Sequence, residues 1–183
     1  MSHIHEKIDF TVEVFIIFKD KVLLRKHDKY KIWLSIGGHI ELDEYPNQAA
    51  IREVKEEVGL NIQLYSPKDN YFFQKKNYKE LTQPIFMNRQ RINNSHEHVT
   101  LVYFARAETD NLVLSKTEKT EECKWFTEKE LKNPRHQINQ NIQVYAQHAL
   151  KMLNNKNFSL HFQQPKMKEL WDNKEDDVWQ KIK

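Results

Sequence analysis

The sequence predicts an α/β sandwich, and three observations predict it. Short runs rich in β-branched and aromatic residues recur at 10–18, 22–24, 61–65, 99–107 and 121–126, which is strand patterning. Two longer segments, 46–58 and 138–153, repeat apolar side chains at helical spacing. Strands that alternate with two main helices bury both faces of a sheet. The third observation is that all three glycines, Gly37, Gly38 and Gly59, lie on or beside the first of these helices. Unusual backbone geometry is therefore demanded there and nowhere else.

The elements follow in order. Residues 10–18 and 22–24 flank a turn at Asp20 and Lys21 and read as a hairpin. A polar stretch, 25–31, leads through Trp33 to the paired glycines. Pro46 stands where a first helical residue tolerates a missing N–H, and Gly59 where a helix stops in the left-handed conformation. In between, Ala50, Ile51, Val54 and Val58 share one arc, while Glu53, Glu56 and Glu57 stack on the next at i, i+3 and i+4. Only Arg52 answers them within the helix. Like charges at that spacing cost an isolated helix roughly 0.2–0.5 kcal/mol per pair, so a cation should offset them. Hard carboxylate oxygens suit Mg2+ or Mn2+, whereas the plain alternative is a solvated acidic face.

Residues 66–98 scatter Tyr71, Phe72, Phe73, Tyr78 and Phe86 among Lys75, Lys76, Lys79, Arg89 and Arg91. Rings mixed with bases could stack a nucleobase and meet phosphates, or they could pack a strand pair across the core. Residues 99–107 should form a central strand, 121–126 another, and 129–132 a helical turn stopped by Asn133 and Pro134. In the second main helix Ile142, Ala146, Leu150 and Leu153 face one way, to cover one side of the sheet. One domain over 1–155 is expected, with 156–183 as a tail: an edge strand, then a short amphipathic helix carrying Trp171 and Trp179. Folded back, that tail completes the core; exposed, it is a contact surface for a partner or a second copy.

Bulk properties bound the function. With 183 residues, 39% of them hydrophobic, and a mean hydropathy of −0.83, the chain fits one soluble domain with a real core. A net charge of +3 is too small a field for polymeric nucleic acid. Cys123 is the single cysteine, which excludes an intrachain disulfide and a multi-thiolate zinc site and fits a reducing cytoplasmic compartment. No apolar stretch approaches the roughly 18 residues of a membrane span, so neither secretion nor membrane insertion is expected. His96 and His98, at i and i+2, could begin a metal site, but no third soft ligand is identifiable beside them. A place near a substrate, or at the surface, is the ordinary reading of the pair.

The segment from Gly38 to Leu60, "GHIELDEYPNQAAIREVKEEVGL", resembles the Nudix box of the Nudix (MutT-like) hydrolases. Gly38, Glu44, Arg52, Glu53, Val54, Glu56, Glu57, Gly59 and Leu60 fill every fixed position, a specific signal. Ile36 stands where family members often carry proline. The resemblance implies a mixed sheet between helices and metal-assisted attack of water on a diphosphate linkage in a nucleoside diphosphate joined to another moiety. It implies metal ligation by Glu53, Glu56, Glu57 and the Gly38 carbonyl, with Mg2+ as cofactor and Mn2+ as substitute. It gives Glu53, Arg52 and Glu44 catalytic roles, Arg52 orienting a carboxylate and Glu44 bracing the loop. The general base is either Glu53 or a later acid: Glu97, Glu121 or Glu122. His39, Tyr78 and His98 are candidates for substrate contact. The partner is thus a small nucleotide-type molecule. Nucleoside triphosphates and dinucleoside polyphosphates stand level, since Lys75 replaces the proline of the ADP-ribose hydrolases, the NADH pyrophosphatase motif is absent, and Tyr78 partly matches the dinucleoside polyphosphate hydrolases. A ligand sensor on the same fold is the alternative, and a protein-interaction module a third class resting only on the tail.

Overall fold

The structure, a computed structural model, describes residues 7–28, 30–66, 74–114 and 120–154. Tyr71, Phe72, Phe73 and the tail with Trp171 and Trp179 lie outside the described residues. In chain order the elements are β1 (Ile8–Phe18), β2 (Lys21–His27), β3 (Trp33–Leu34), β4 (Ile36–His39), α1 (Pro46–Val58) and β5 (Ile62–Leu64). There follow β6 (Gln74–Lys75), β7 (Tyr78–Lys79), β8 (Phe86–Arg91), β9 (Glu97–Ala107), β10 (Thr120–Thr127), α2 (Glu128–Leu131) and α3 (Gln140–Asn154).

Eight strands make one open mixed sheet, with the path β10-β2-β1-β9-β5. Its axis is the parallel pair of β1 and β9, ten residues in continuous register from Ile8↔Glu97 to Ile17↔Arg106. Each long strand divides its outer edge between two partners. β1 pairs β4 over residues 11–14 and β2 over 16–18, while β9 pairs β8 over 97–102 and β5 over 105–107. The early hairpin and the central strand are thus where the patterning put them. The polar stretch from Arg25 is not a loop from its start, because β2 continues to His27.

Side-chain alternation sends successive residues to opposite faces. Phe15, Ile17, Val102 and Phe104 join Ile142, Ala146, Ala149, Leu150 and Leu153 of α3 in one core. Phe86 belongs to this core, stacked on Tyr145 at 4.9 Å and meeting Phe104 edge-on at 6.0 Å, so it packs rather than binds. Val12, Val14, Ile16, Tyr103 and Ala105 meet Ala49, Ala50, Val54 and Val58 of α1 in the other core. Helices on both faces complete the α/β/α sandwich.

The α1 arc is rotated from its sequence expectation. Ile51 is 46% exposed, whereas Glu53 and Glu57 are buried at 3% and 1%. The small residues Ala49 and Ala50 seat the helix close to the sheet, which turns the Glu53 and Glu57 edge inward and Ile51 out. Both helix ends behave as read. The Tyr45 N–H donates to Gln48 Oε1 at 2.9 Å ahead of Pro46, and Gly59, at φ +71°, donates to the Lys55 carbonyl.

Candidate active site

The site forms where β4 runs through its loop into α1. Gly37 has φ +154°, and a Cβ there would lie 2.0 Å from the Val12 carbonyl oxygen across the β1–β4 ladder, so only glycine fits. Gly38 answers a different demand. A Cβ on it would fall 2.4 Å from Glu53 Oε1, so the missing side chain is what lets the Glu53 carboxylate lie against the end of β4.

Arg52 organises the loop. Its Nε and Nη2 donate to the two Glu44 oxygens at 3.0 and 2.6 Å, a bidentate pair. Its Nη2 also donates to the His39 carbonyl at 3.0 Å, and its Nη1 to Glu53 Oε1 at 2.9 Å and Glu56 Oε2 at 3.0 Å. Glu44 in turn accepts the Glu41 N–H at 2.9 Å. Arg52 and Glu44 thus join β4, the loop and α1 in one hydrogen-bond network. The Arg52 hydrogen bonds hold the Glu44 carboxyl below its usual range, and the same bonds lead in holding the Arg52 guanidinium above its own.

A second cation escaped the sequence reading. Arg25, on β2, places Nε 3.1 Å from Glu57 Oε2, with side chains 13% and 1% exposed. Glu57 sits inside α1 facing the sheet, and the nearest strand supplies its counter-charge. The signal that could have found Arg25 was the alternation of β2, which puts Leu23 and Arg25 on the same face as Glu57. Two arginines therefore carry ion pairs to four carboxylates, Glu44, Glu53, Glu56 and Glu57. Two of the three helix carboxylates, Glu53 and Glu57, are buried and so form no solvated face, while the Glu56 side chain is 55% exposed beside Arg52.

Hard divalent cations take carboxylate, carbonyl and water oxygens. The residues fit such an ion: two buried carboxylates, one that opens to solvent, and a glycine backbone in contact with Glu53.

The remaining candidates separate. Glu97 pairs with Arg89 at 3.8 Å. Glu121 and Glu122 both lie on β10; Glu122 is exposed and flanks Cys123, which pairs in register with Arg25. Burial pushes the Cys123 thiol up to about 12, helped by the Glu57 charge, so it is an inert small side chain. Tyr78 is 57% exposed on the separate β6–β7 hairpin. His39 and His98 come together instead, their rings edge-on at 5.0 Å, with Asp9 between strands beside them. Asp9 is the third ligand-type group that the sequence did not reveal.

A family model described as the NUDIX domain matches residues 9–147. The chain belongs to the Nudix family. Among solved structures it is 42% identical to a Nudix-family hydrolase from Clostridium perfringens, which aligns over 79% of this chain and 97% of that one with a TM-score of 0.71. A MutT Nudix hydrolase from Burkholderia pseudomallei, at 18% identity and TM-score 0.57, covers 80% of this chain and 98% of its own. An ADP-ribose pyrophosphatase from Streptococcus suis, at 16% and 0.52, covers 81% and 93%. The last two share the fold alone. No curated protein matches the chain. Among the described residues no helix is long and apolar enough to cross a membrane. The chain is a Nudix hydrolase by family, and the loop and α1 are its Nudix box.

Proposed function

We propose that this Nudix hydrolase is a magnesium-dependent pyrophosphohydrolase of the cytoplasm, cleaving a diphosphate linkage in a nucleoside diphosphate joined to another moiety. The observation that carries the proposal is the burial of Glu53 and Glu57, Glu53 lying beside the Gly38 backbone, with Glu56 at the solvent edge. Burying two carboxylates within one helical turn is costly unless they serve as ligands or are paired. Glu53, Glu56, Glu57 and the Gly38 carbonyl would hold Mg2+, with Mn2+ as substitute. Bound there, the ion would supply charge neutralisation at diphosphate oxygens and a more acidic water.

The chain's own residues do the rest. Arg52 fixes the rotamers of Glu53 and Glu56 and holds the loop at the His39 carbonyl, so the oxygens are set before substrate arrives. Arg25 holds Glu57 from below, its Nε 3.1 Å from Oε2. The carboxylate that accepts the proton of the attacking water is Glu53 or one of the later acids Glu97, Glu121 and Glu122. A ligand sensor would not need the full carboxylate set, which favours turnover.

The test is a panel of nucleoside triphosphates, dinucleoside polyphosphates and nucleotide sugars, with and without Mg2+. Release of phosphate or pyrophosphate from at least one class is expected, and the initial rates on the first two classes choose between them. Tight nucleotide binding without release would return the chain to the sensor reading. Among Gln variants of the four acids, the base is the one whose loss removes the limb of the pH–rate profile on the acid side.

A further inference from the structure

We propose that Asp9, His39 and His98 form a binding site for a divalent ion of the zinc class, separate from the Nudix-box carboxylates. Their ligand atoms all lie within 4.8 Å of one another. Each comes from a different strand, yet the sheet register brings them to one face. Asp9 is the Cα partner of His98 across the parallel pair. His39 is the partner of Thr11, two residues along β1 from Asp9 and therefore on the same side. The Box carboxylates belong to the opposite face, where Gly38 meets Glu53.

Burial and donor chemistry choose the ion. Asp9 is 1% exposed, and its Oδ2 lies 3.2 Å from His39 Nε2 and 3.6 Å from His96 Nε2. A carboxylate that deep is ordinarily paired or coordinated. Two imidazoles and one carboxylate are the ligand set of zinc and ferrous sites with an open position, whereas magnesium prefers oxygen alone. Zinc bonds of about 2.0–2.2 Å need the three atoms drawn closer than 4.8 Å, which side-chain rotation of the two partly exposed histidines supplies. His96, 4% exposed and edge-on to His98 at 5.0 Å, then orients the Asp9 carboxylate from behind.

The ion would fasten β1, β4 and β9 at one point. His39 immediately follows Gly38, and its carbonyl accepts from Arg52, so the fastening reaches the root of the Box loop. This gives His39 and His98 to a cation and not directly to the substrate.

Cobalt is the probe, because Co2+ in such a set absorbs visible light and Mg2+ does not compete for imidazole. With excess Mg2+ present to occupy the Box, full-length protein first stripped by chelator should bind one equivalent of Co2+ with absorption between about 500 and 650 nm, displaced by Zn2+. His98→Ala and the near-isosteric Asp9→Asn should each weaken binding at least tenfold. Glu57→Gln, which alters the Box, and His3→Ala with His5→Ala, which removes the N-terminal histidines, should leave the spectrum intact. Because the three ligands meet only in the folded chain, Zn2+ should raise the melting temperature of wild type and not that of His98→Ala. A featureless spectrum would overturn the site and leave His39 and His96 as the direct neighbours of Asp9. Loss of the spectrum in the N-terminal variant, or in Glu57→Gln, would overturn it equally.

Discussion

Replacing Arg25 with Met tests whether Glu57 is held charged inside the protein. The substitution keeps most of the aliphatic stem and deletes the guanidinium that lies 3.1 Å from Glu57 Oε2. Removing one partner of a buried ion pair costs about 3–5 kcal/mol, because the remaining charge is left desolvated. The 13% exposure of Arg25 admits some water, which argues for the lower end. A second loss has the same sign, since Arg25 also favours the charged form of Glu13 across the sheet. At about 2–4 °C per kcal/mol for a chain of this size, about 3 kcal/mol lowers the melting temperature by about 6–12 °C.

The assay is thermal melting at pH 7.5 in chelator and again in excess Mg2+. If Glu57 is a metal ligand, Mg2+ replaces part of the missing charge, and the gap between Arg25→Met and wild type narrows. The double variant Arg25→Met with Glu57→Gln should regain most of the lost stability, because no buried charge remains to be answered; the cycle then reads out the coupling of the pair. An Arg25→Met protein that melts within about 1 °C of wild type in chelator would refute the reasoning. Glu57 would then be sharing its proton or its charge elsewhere.

Three further outcomes follow from the same geometry. Glu56→Gln should abolish most Mg2+-dependent turnover while leaving the melting temperature in chelator equal or slightly higher, by some tenths of a kcal/mol of relieved repulsion; unchanged turnover with an unchanged response to Mg2+ would return Glu56 to an ordinary surface. Gly38→Ala places a methyl group 2.4 Å from Glu53 Oε1 and should cut turnover far more than it cuts stability, since the flexible carboxylate swings aside and is lost as a ligand; paired activity and melting measurements separate the two. Glu13→Gln should stabilise the protein at pH 7–8 and make no difference below about pH 4, as melting across that range will read.

The sign for Glu13 comes from burial. Desolvation raises its folded pKa against the opposing hydrogen bonds of Ser35 and Gln90. Between the unfolded value near 4.3 and the raised folded value, the folded state binds more protons than the unfolded one, so stability falls as pH rises through that window. The amide removes the charge that must be desolvated and keeps an oxygen for Gln90, now 3.3 Å from Oε1.

What the sequence made legible was whatever is local along the chain. The 3.6 periodicity of α3 and the β-branched run of β9 declare their elements without help from the rest of the molecule. The Nudix box is legible for the same reason: a turn needing glycine, a loop brace and a row of carboxylates lie within one loop and one helix. Arg25 and Asp9 were not legible, because their roles depend on register. Arg25 matters only once β2 is known to pass beneath Glu57, and Asp9 only once β1 and β9 run parallel with Asp9 opposite His98. The rotation of α1 has the same origin. An isolated helix would turn Ile51 inward, but Ala49 and Ala50 let α1 approach the sheet so closely that the carboxylate edge takes the buried place.

That rotation explains how the three box glutamates divide their work. With Ile51 outside, Glu53 and Glu57 point toward β4 and β2, where a glycine and an arginine receive them, while Glu56 lies one step round the helix at the solvent edge. In the proposed ion site the two buried acids would form the floor and the exposed acid the open side. There Arg52 would set Glu53 and Glu56 and Arg25 would set Glu57 before any ion arrives, with Glu56 giving the site its solvent-facing side. Stability effects should therefore concentrate in variants of Glu53 and Glu57, and pure activity effects in variants of Glu56. A measured order in which Glu56→Gln destabilises the chelated protein more than Glu57→Gln would contradict this division at its root.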